Sequence, residues 1–265
     1  MTSVAYGLAM PSTRGLLTPS PYCAQSIAFF QRLPAQPGAA RKALYDTLIR
    51  ALVVAGIWAK LDLLYVFAAA DQATALTNLV SAGYTATAVN SPAFSTDHGF
   101  TGNGSTSYVN TNWKPSLGVQ FQQNSAHFSL WSLSSRSAAN SAQGIYAVGG
   151  DVVIFPYYPG SIGVGRTNSA VSSTGSVGDS QGFYLQNTSS PSAQQLYKNG
   201  ALVGSSSAST SAPLATNLYI AGCNGAAGSP DQIAAVSLGS SLSSSEQAAL
   251  YNALHSFLQG VAGVA

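Results

Sequence analysis

Few residues in this sequence can move a proton or hold a metal, and their spacing limits the chemistry open to it. The acidic residues number eight: aspartates at 46, 62, 71, 97, 151, 179 and 231, and one glutamate, Glu246. Glycan cleavage on a β scaffold needs paired carboxylates, one to donate a proton and one to attack or stabilise charge. No Glu-x-Asp-x-x-Glu spacing occurs, and Glu246 follows Ser243 by three residues, the spacing of a helix capping box. A hydrolase or lyase is disfavoured, and the chain is expected not to be an enzyme. The imidazoles are His98, His127 and His255, with no Gly-x-Ser-x-Gly elbow to supply a nucleophile. Asp97 and His98 are chain neighbours whose side chains point apart on an extended backbone. Cys23, Cys223 and the scattered histidines lack zinc-ligand spacing. Calcium needs clustered oxygens. Asp97 with Asn103, or Asp231 with Asn224, could contribute, but a turn-stabilising role suits them better. No cofactor is expected. Gly160-Ser-Ile-Gly-Val-Gly165 has the glycines of a phosphate loop but no following Gly-Lys-Ser, and reads as turn glycine.

Binding chemistry is better represented. In Phe155-Pro-Tyr-Tyr-Pro159 two prolines fix the backbone around Phe155, Tyr157 and Tyr158. Tyrosine offers an apolar face for a sugar ring and a hydroxyl for hydrogen bonds. Trp113, following Asn110 and Asn112, is a second such patch. These four aromatic residues are the candidate ligand-binding set. The competing reading is that the rings pack the fold or a subunit interface.

The elements that must position them follow from pattern. Charged residues are 7% of the 265, against about 25% in an ordinary soluble protein, while hydrophobic residues reach 46%. Such a chain folds, and its surface is dressed in hydroxyls and amides, as in many extracellular adhesins and virus-particle proteins. Net charge is +2 with no basic stripe, so nucleic acid is not an expected partner. Two distant cysteines make no disulfide framework and fit assembly in a reducing cytosol. Residues 1–7 carry no basic segment followed by an apolar core, so a signal peptide is not expected there. Residues 51–70 form an apolar run of nearly membrane-spanning length, but Lys60 and Asp62 interrupt it, so it reads as a helix followed by a buried strand rather than a membrane insertion.

Residues 1–37 form an apolar arm with five prolines and with Leu16, Leu17, Ile27, Phe29 and Phe30 in need of cover, from its own domain or from a partner subunit. Residues 38–83 read as helix, strand and helix packed on a sandwich: Leu44, Leu48 and Leu52 recur at i+4, Gly56 stops the first helix, and Asp71 caps a second through residue 82. From 84 to 265 short strands alternate with Gly, Asn, Ser and Pro, the signature of an antiparallel sandwich or barrel. Strands are expected at 107–110, 127–133, 144–148, 152–155, 182–186, 195–198, 201–203, 218–221 and 232–238. Asn199-Gly200 marks a hairpin, and Ser243 to Glu246 opens a C-terminal helix.

Five segments together resemble the laminin-G-like, concanavalin A-like jelly roll. They are Gly99-Phe-Thr-Gly-Asn-Gly-Ser-Thr-Ser-Tyr108-Val, His127-Phe-Ser-Leu-Trp131, Leu196-Tyr-Lys-Asn-Gly200-Ala-Leu-Val203, Leu218-Tyr-Ile-Ala-Gly222, and Ile233-Ala-Ala-Val-Ser-Leu-Gly239 followed by Leu242-Ser-Ser-Ser-Glu246. Ala43-Leu-Tyr-Asp-Thr-Leu-Ile49, Gly56-Ile-Trp-Ala-Lys-Leu-Asp62-Leu-Leu-Tyr-Val-Phe-Ala68 and Asn90-Ser-Pro-Ala-Phe-Ser-Thr-Asp-His-Gly-Phe-Thr-Gly102 resemble virion proteins of tailed bacteriophages and prophages that carry this domain. The resemblance implies a mainly β protein, an antiparallel jelly-roll sandwich with an N-terminal helical segment and a C-terminal helix. It implies a virion component assembled in the host cytoplasm: a tail fibre, baseplate or head-surface protein. Other virion proteins and further copies of itself would be its partners, with host-cell glycan as the ligand of an attachment role. Capsid decoration or tail assembly is the alternative. The resemblance also carries an acidic pair before the last strand; here those positions are Asp231-Gln232.

Overall fold

The computed structural model describes residues 20–137, 145–147, 152–224 and 227–263. Leu16 and Leu17 of the arm, the expected strand ends at 144 and 148, and Asp151 lie outside the described residues.

Helix α1 (Ala24–Arg32) forms within the proline-rich arm. Phe29, Phe30 and Leu33 are buried, and Phe29 meets Tyr45 edge-on at 5.0 Å, so these apolar side chains of the arm are covered by the chain's own core. Helix α2 (Ala39–Val54) buries Tyr45, Leu48, Ile49 and Leu52; of the expected i+4 row, Leu44 is only half-buried. It ends before Gly56, whose φ of 73° glycine adopts without Cβ strain. Strand β1 (Leu61–Val66) follows, so the apolar run over 51–70 divides into helix and strand. No helix among the described residues is long and apolar enough to cross a membrane.

The helix expected from 71 to 82 survives for one turn, α3 (Gln72–Ala75), with the Asp71 side chain accepting from the Thr74 N–H. Beyond it Asn78, 1% exposed, takes over the backbone. Its Oδ1 accepts from the Leu64 and Val80 N–H groups, and its Nδ2 donates to Asp62 O, Ser81 Oγ and Gly83 O. A side chain meeting that many polar groups at once competes successfully with helix propagation.

The remaining strands are β2 (Thr87–Val89), β3 (Ala93–Ser95), β4 (Gly99–Thr101), β5 (Tyr108–Asn110), β6 (Ala126–Ser132), β7 (Ile145–Ala147), β8 (Val152–Tyr158) and β9 (Ile162–Thr167). Then come β10 (Ser173–Ser176), β11 (Gly182–Ser190), β12 (Ala193–Lys198), β13 (Ala201–Ser206), β14 (Leu218–Ile220), β15 (Gln232–Gly239) and the helix α4 (Ser244–Ala262). Among the described residues they form two antiparallel sheets. One runs β13-β12-β11-β6-β15-β4-β3, with β1 also paired to β15; the other runs β10-β9-β8-β7-β14-β5-β2. This is the expected antiparallel β-sandwich with N-terminal helices and a C-terminal helix. One boundary shifts: β1 pairs with β15 along its whole length, so the segment 38–83 contributes a strand to the sandwich and is not merely packed on it.

Two apolar cores result. Phe128 and Leu130 of β6 point between the sheets with Phe100, Trp113 and Tyr184. Trp131 points the other way, with Phe183 and Leu185, into a second core closed by Tyr45 and Leu48 of α2 and by Leu254 and Phe257 of α4. The capping box at Ser243 and Glu246 forms in full, and Asn199 and Gly200 turn β12 into β13 with φ of 51° and 81°. Among the described residues Cys23 and Cys223 form no disulfide.

Candidate functional site

Strand β8 carries the aromatic segment, and its register decides what that segment offers. Phe155 lies opposite Val164 of β9 and Tyr158 opposite Ile162, so β8 spends an extra residue between them. This bulge contains Pro156, which has no N–H to give the ladder. Strict alternation would send Phe155 and Tyr158 to opposite faces. The bulge returns both to the outer face, where their rings stack at 5.6 Å and 16°, each half-buried. Between them Tyr157 turns inward and is 4% exposed. Its hydroxyl bonds Ser161 Oγ at 2.8 Å, and the Arg136 guanidinium lies over its ring at 5.6 Å.

Trp113 is also inward, 1% exposed and edge-on to Phe121 at 5.6 Å. Asn112 before it has a φ of 55°, and its Nδ2 is locked onto Thr85 O and Thr87 Oγ1. The structure therefore brings Phe155 and Tyr158 together as a surface pair. It corrects the placement of Tyr157 and Trp113, whose ring faces are covered by core neighbours and are not offered to a ligand.

The pair floors a shallow cavity of about 270 Å³ whose other walls include Val164, Arg166 and Thr174. Arg166 Nη1 donates to Ala170 O at 3.3 Å, while its Nε is buried without a hydrogen-bond partner among the described residues. Stacked rings, the guanidinium of half-buried Arg166 and a threonine hydroxyl can hold a pyranose by its apolar face and its oxygens. Sequence reasoning missed Arg166 because β9 was read as turn glycine. Only Gly160 is in the turn. Gly163 and Gly165 face inward, where a Cβ would meet Val177 and the Gln186 side chain respectively, so the alternate residues Ile162, Val164 and Arg166 face out.

The described carboxylates are engaged elsewhere. Asp46 pairs with Arg50, Asp97 with Arg41, Asp179 with Lys198, Asp231 with Arg136 and Glu246 with Lys60, at 2.5–2.9 Å. Burial alone would raise the Asp179 pKa, but hydrogen bonds from Lys198 and Ser135 outweigh it and hold the carboxyl below its usual range. Asp62 accepts from the backbone N–H groups of Val119, Gln120 and Phe121. Asp97 and His98 diverge, His98 Nδ1 meeting Thr96 O at 2.9 Å.

The calcium reading fails on donor chemistry. Asp231 is fully buried; Arg136 donates from Nε to Oδ1 at 3.0 Å and from Nη2 to Oδ2 at 2.9 Å, and Ser180 donates to Oδ1 at 3.0 Å. A guanidinium fork already supplies the positive charge a cation would bring. Asn103 Oδ1 accepts from three backbone N–H groups, of Ser105, Thr106 and Ser107.

No protein-family model matches this chain, and no curated protein matches it. Solved structures do share its fold. A mutant of Trypanosoma rangeli sialidase displaying trans-sialidase activity is 14% identical with a TM-score of 0.57, over 82% of this chain and 39% of that one. The binding domain of botulinum neurotoxin serotype D is 14% identical with a TM-score of 0.53, over 74% and 52%. Domain 4 of an extracellular arabinanase from Geobacillus stearothermophilus, in complex with arabinotriose, is 12% identical with a TM-score of 0.50, over 72% and 98%. The chain thus spans less than two thirds of the sialidase and neurotoxin chains it matches. These likenesses show the fold alone, a β-sandwich.

Proposed function

We propose that this chain is a non-enzymatic surface protein of a tailed-phage virion, on a tail fibre, baseplate or head surface, whose lectin-like sandwich attaches to host glycan. The observation that carries the glycan half is the bulge that aligns Phe155 and Tyr158 beside Arg166. The engagement of the described carboxylates in ion pairs, caps and loop anchors supports binding over hydrolysis. Among proteins sharing the fold, one is a toxin binding domain and one holds arabinotriose. The virion half rests on the resemblance of the segments around Ala43, Gly56 and Asn90.

The test couples the purified chain to beads at high density, because single glycan sites are weak and avidity makes them measurable. Retention on host cells or surface polysaccharide should be competed by free polysaccharide. It should fall at least ~tenfold in Tyr158→Ala and Arg166→Ala, each with an unchanged melting temperature, for a loss of about 1.4 kcal/mol. Tyr157→Ala should instead lower the melting temperature. Retention equal to wild type in both surface variants would remove the shelf as the site.

A second reading, capsid decoration or tail assembly through copies of this chain, is favoured by the apolar groove between α2 and α4. Leu44, Leu48, Ala51, Ala253 and Phe257 line its volume of about 310 Å³, and Val54 nearby is 88% exposed. Self-association without glycan retention, reduced by Val54→Asp, would select it.

A further inference from the structure

The face of the sandwich opposite the shelf carries a different cavity. Under α4, at the ends of β6, β11 and β12, a polar pocket of about 290 Å³ is lined by Trp131, Asp179, Gln181, Lys198, Asn199 and Tyr251. Trp131 is the outward residue near the end of β6, and Tyr251 of α4 stacks on it at 5.4 Å and 12°. Asn199 is held at the hairpin turn, its Oδ1 accepting from the Phe183 N–H, which leaves its amide nitrogen to donate.

Three properties of this pocket point to a ligand. First, Trp131 lines the pocket while only 2% exposed, its ring packed against Phe183 and Tyr251, so the indole is a fixed wall whose signal reports on the cavity. Second, the charges cancel: Lys198 Nζ sits 2.9 Å from Asp179 Oδ1, and the same carboxylate accepts from Ser135 Oγ at 2.8 Å. Third, half-buried Tyr251 supplies an aromatic wall while Gln181 and Asn199 supply amides that both donate and accept.

The geometry points to a second binding site here, for a single uncharged pyranose unit such as a neutral hexose or an N-acetylhexosamine. Such a ring brings an apolar face for Tyr251 and hydroxyls that donate and accept for the amides and Asp179. A uronate would set its carboxylate against Asp179, and an apolar ligand would leave the polar wall unpaired. Phe155, Tyr158 and Arg166 take no part, so failure of either site leaves the other standing.

The chain has three tryptophans, so its indole N–H region in a ¹⁵N–¹H correlation spectrum holds three signals, and Trp131→Phe assigns one. The full chain is titrated with glucose, galactose, N-acetylglucosamine and, as the charged comparator, glucuronate. A neutral sugar should move the Trp131 signal saturably at millimolar concentration, with glucuronate at least ~tenfold weaker. Gln181→Ala, an exposed rim change, should weaken binding about fivefold, the loss of one hydrogen bond of about 1 kcal/mol; Tyr158→Ala should leave it unchanged. A Trp131 signal unmoved by every sugar would overturn the proposal. So would equal binding of glucuronate, or binding indifferent to both Gln181→Ala and Asp179→Asn.

Discussion

His127 lies fully buried on β6, and acidification tests what it contributes. Its Nδ1 donates to Ser240 O at 2.5 Å, so its Nε2, 3.2 Å from Ser237 Oγ, accepts. That is a satisfied neutral ring with no place for a second proton. Burial is the main cause that lowers its pKa from 6.5 to about 4; the Ser240 carbonyl and Glu246 pull the other way, and Lys60 reinforces the burial. The unfolded chain therefore takes up a proton first as the pH falls. Stability from this group is complete above about pH 6.5 and is lost progressively down to about pH 4. The whole shift is worth about 3 kcal/mol, and the part lost between pH 7.5 and pH 5 is about 2 kcal/mol. Asp46, Asp179 and Glu246, whose pKa values are depressed, lose their contribution at lower pH, as the pH falls through their folded values from the ordinary carboxylate range. The window above pH 5 thus isolates the imidazole. Urea unfolding at pH 7.5, 6.5, 5.8 and 5.0 should show wild type losing those ~2 kcal/mol. His127→Gln, which keeps a donor and an acceptor but cannot titrate, should lose much less over the same range. Parallel pH profiles for the two proteins would refute the reasoning.

Two further changes test the frame around the sites. Asp231→Asn leaves the Arg136 guanidinium buried without its counter-charge, which should cost about 3–5 kcal/mol and lower the melting temperature by about 10 °C. Ser243→Ala removes the α4 cap and should cost about 1 kcal/mol by urea unfolding, with no change in glycan retention.

How much of this was legible in the sequence differs between the two sheets. Strands with large apolar residues on alternate positions, such as β6 and β15, stand out in the chain, as do the Asn199-Gly200 turn and the Ser243–Glu246 box. β9 and β10 do not. Their inward positions are Gly163, Gly165, Thr167 and Ser173, because part of the sandwich interior is polar: Gln186, Thr188 and Gln194 are fully buried there. A strand whose core side is glycine and threonine shows no hydrophobic period, so its outward residues cannot be assigned. The α3 helix was overestimated for a related reason: the periodicity of Leu76, Leu79 and Val80 is genuine, but Asn78 between them makes five hydrogen bonds that a helix would forbid.

The candidate site was half legible because aromatic content can be read from sequence while the face it occupies depends on register. Phe155, Tyr157 and Tyr158 are equivalent in composition, and a single bulge separates two surface rings from one core ring. The same uncertainty explains the pocket at Trp131. Its lining comes from β6, the loop before β11, the β12–β13 turn and α4, at sequence separations no local pattern connects. Asp179 and Lys198 look like ordinary scattered charges until β11 and β12 are paired, with Tyr184 opposite Lys198. In a chain with so few charges, the described carboxylates are used to fix loops and elements, as Asp231 with Arg136 and Asp62 with residues 119–121 show. In the proposed function, recognition falls mainly to rings, amides and hydroxyls, with Arg166 beside the shelf. Those groups suit an uncharged, hydroxyl-rich ligand, and they are arranged by strand register rather than by any motif.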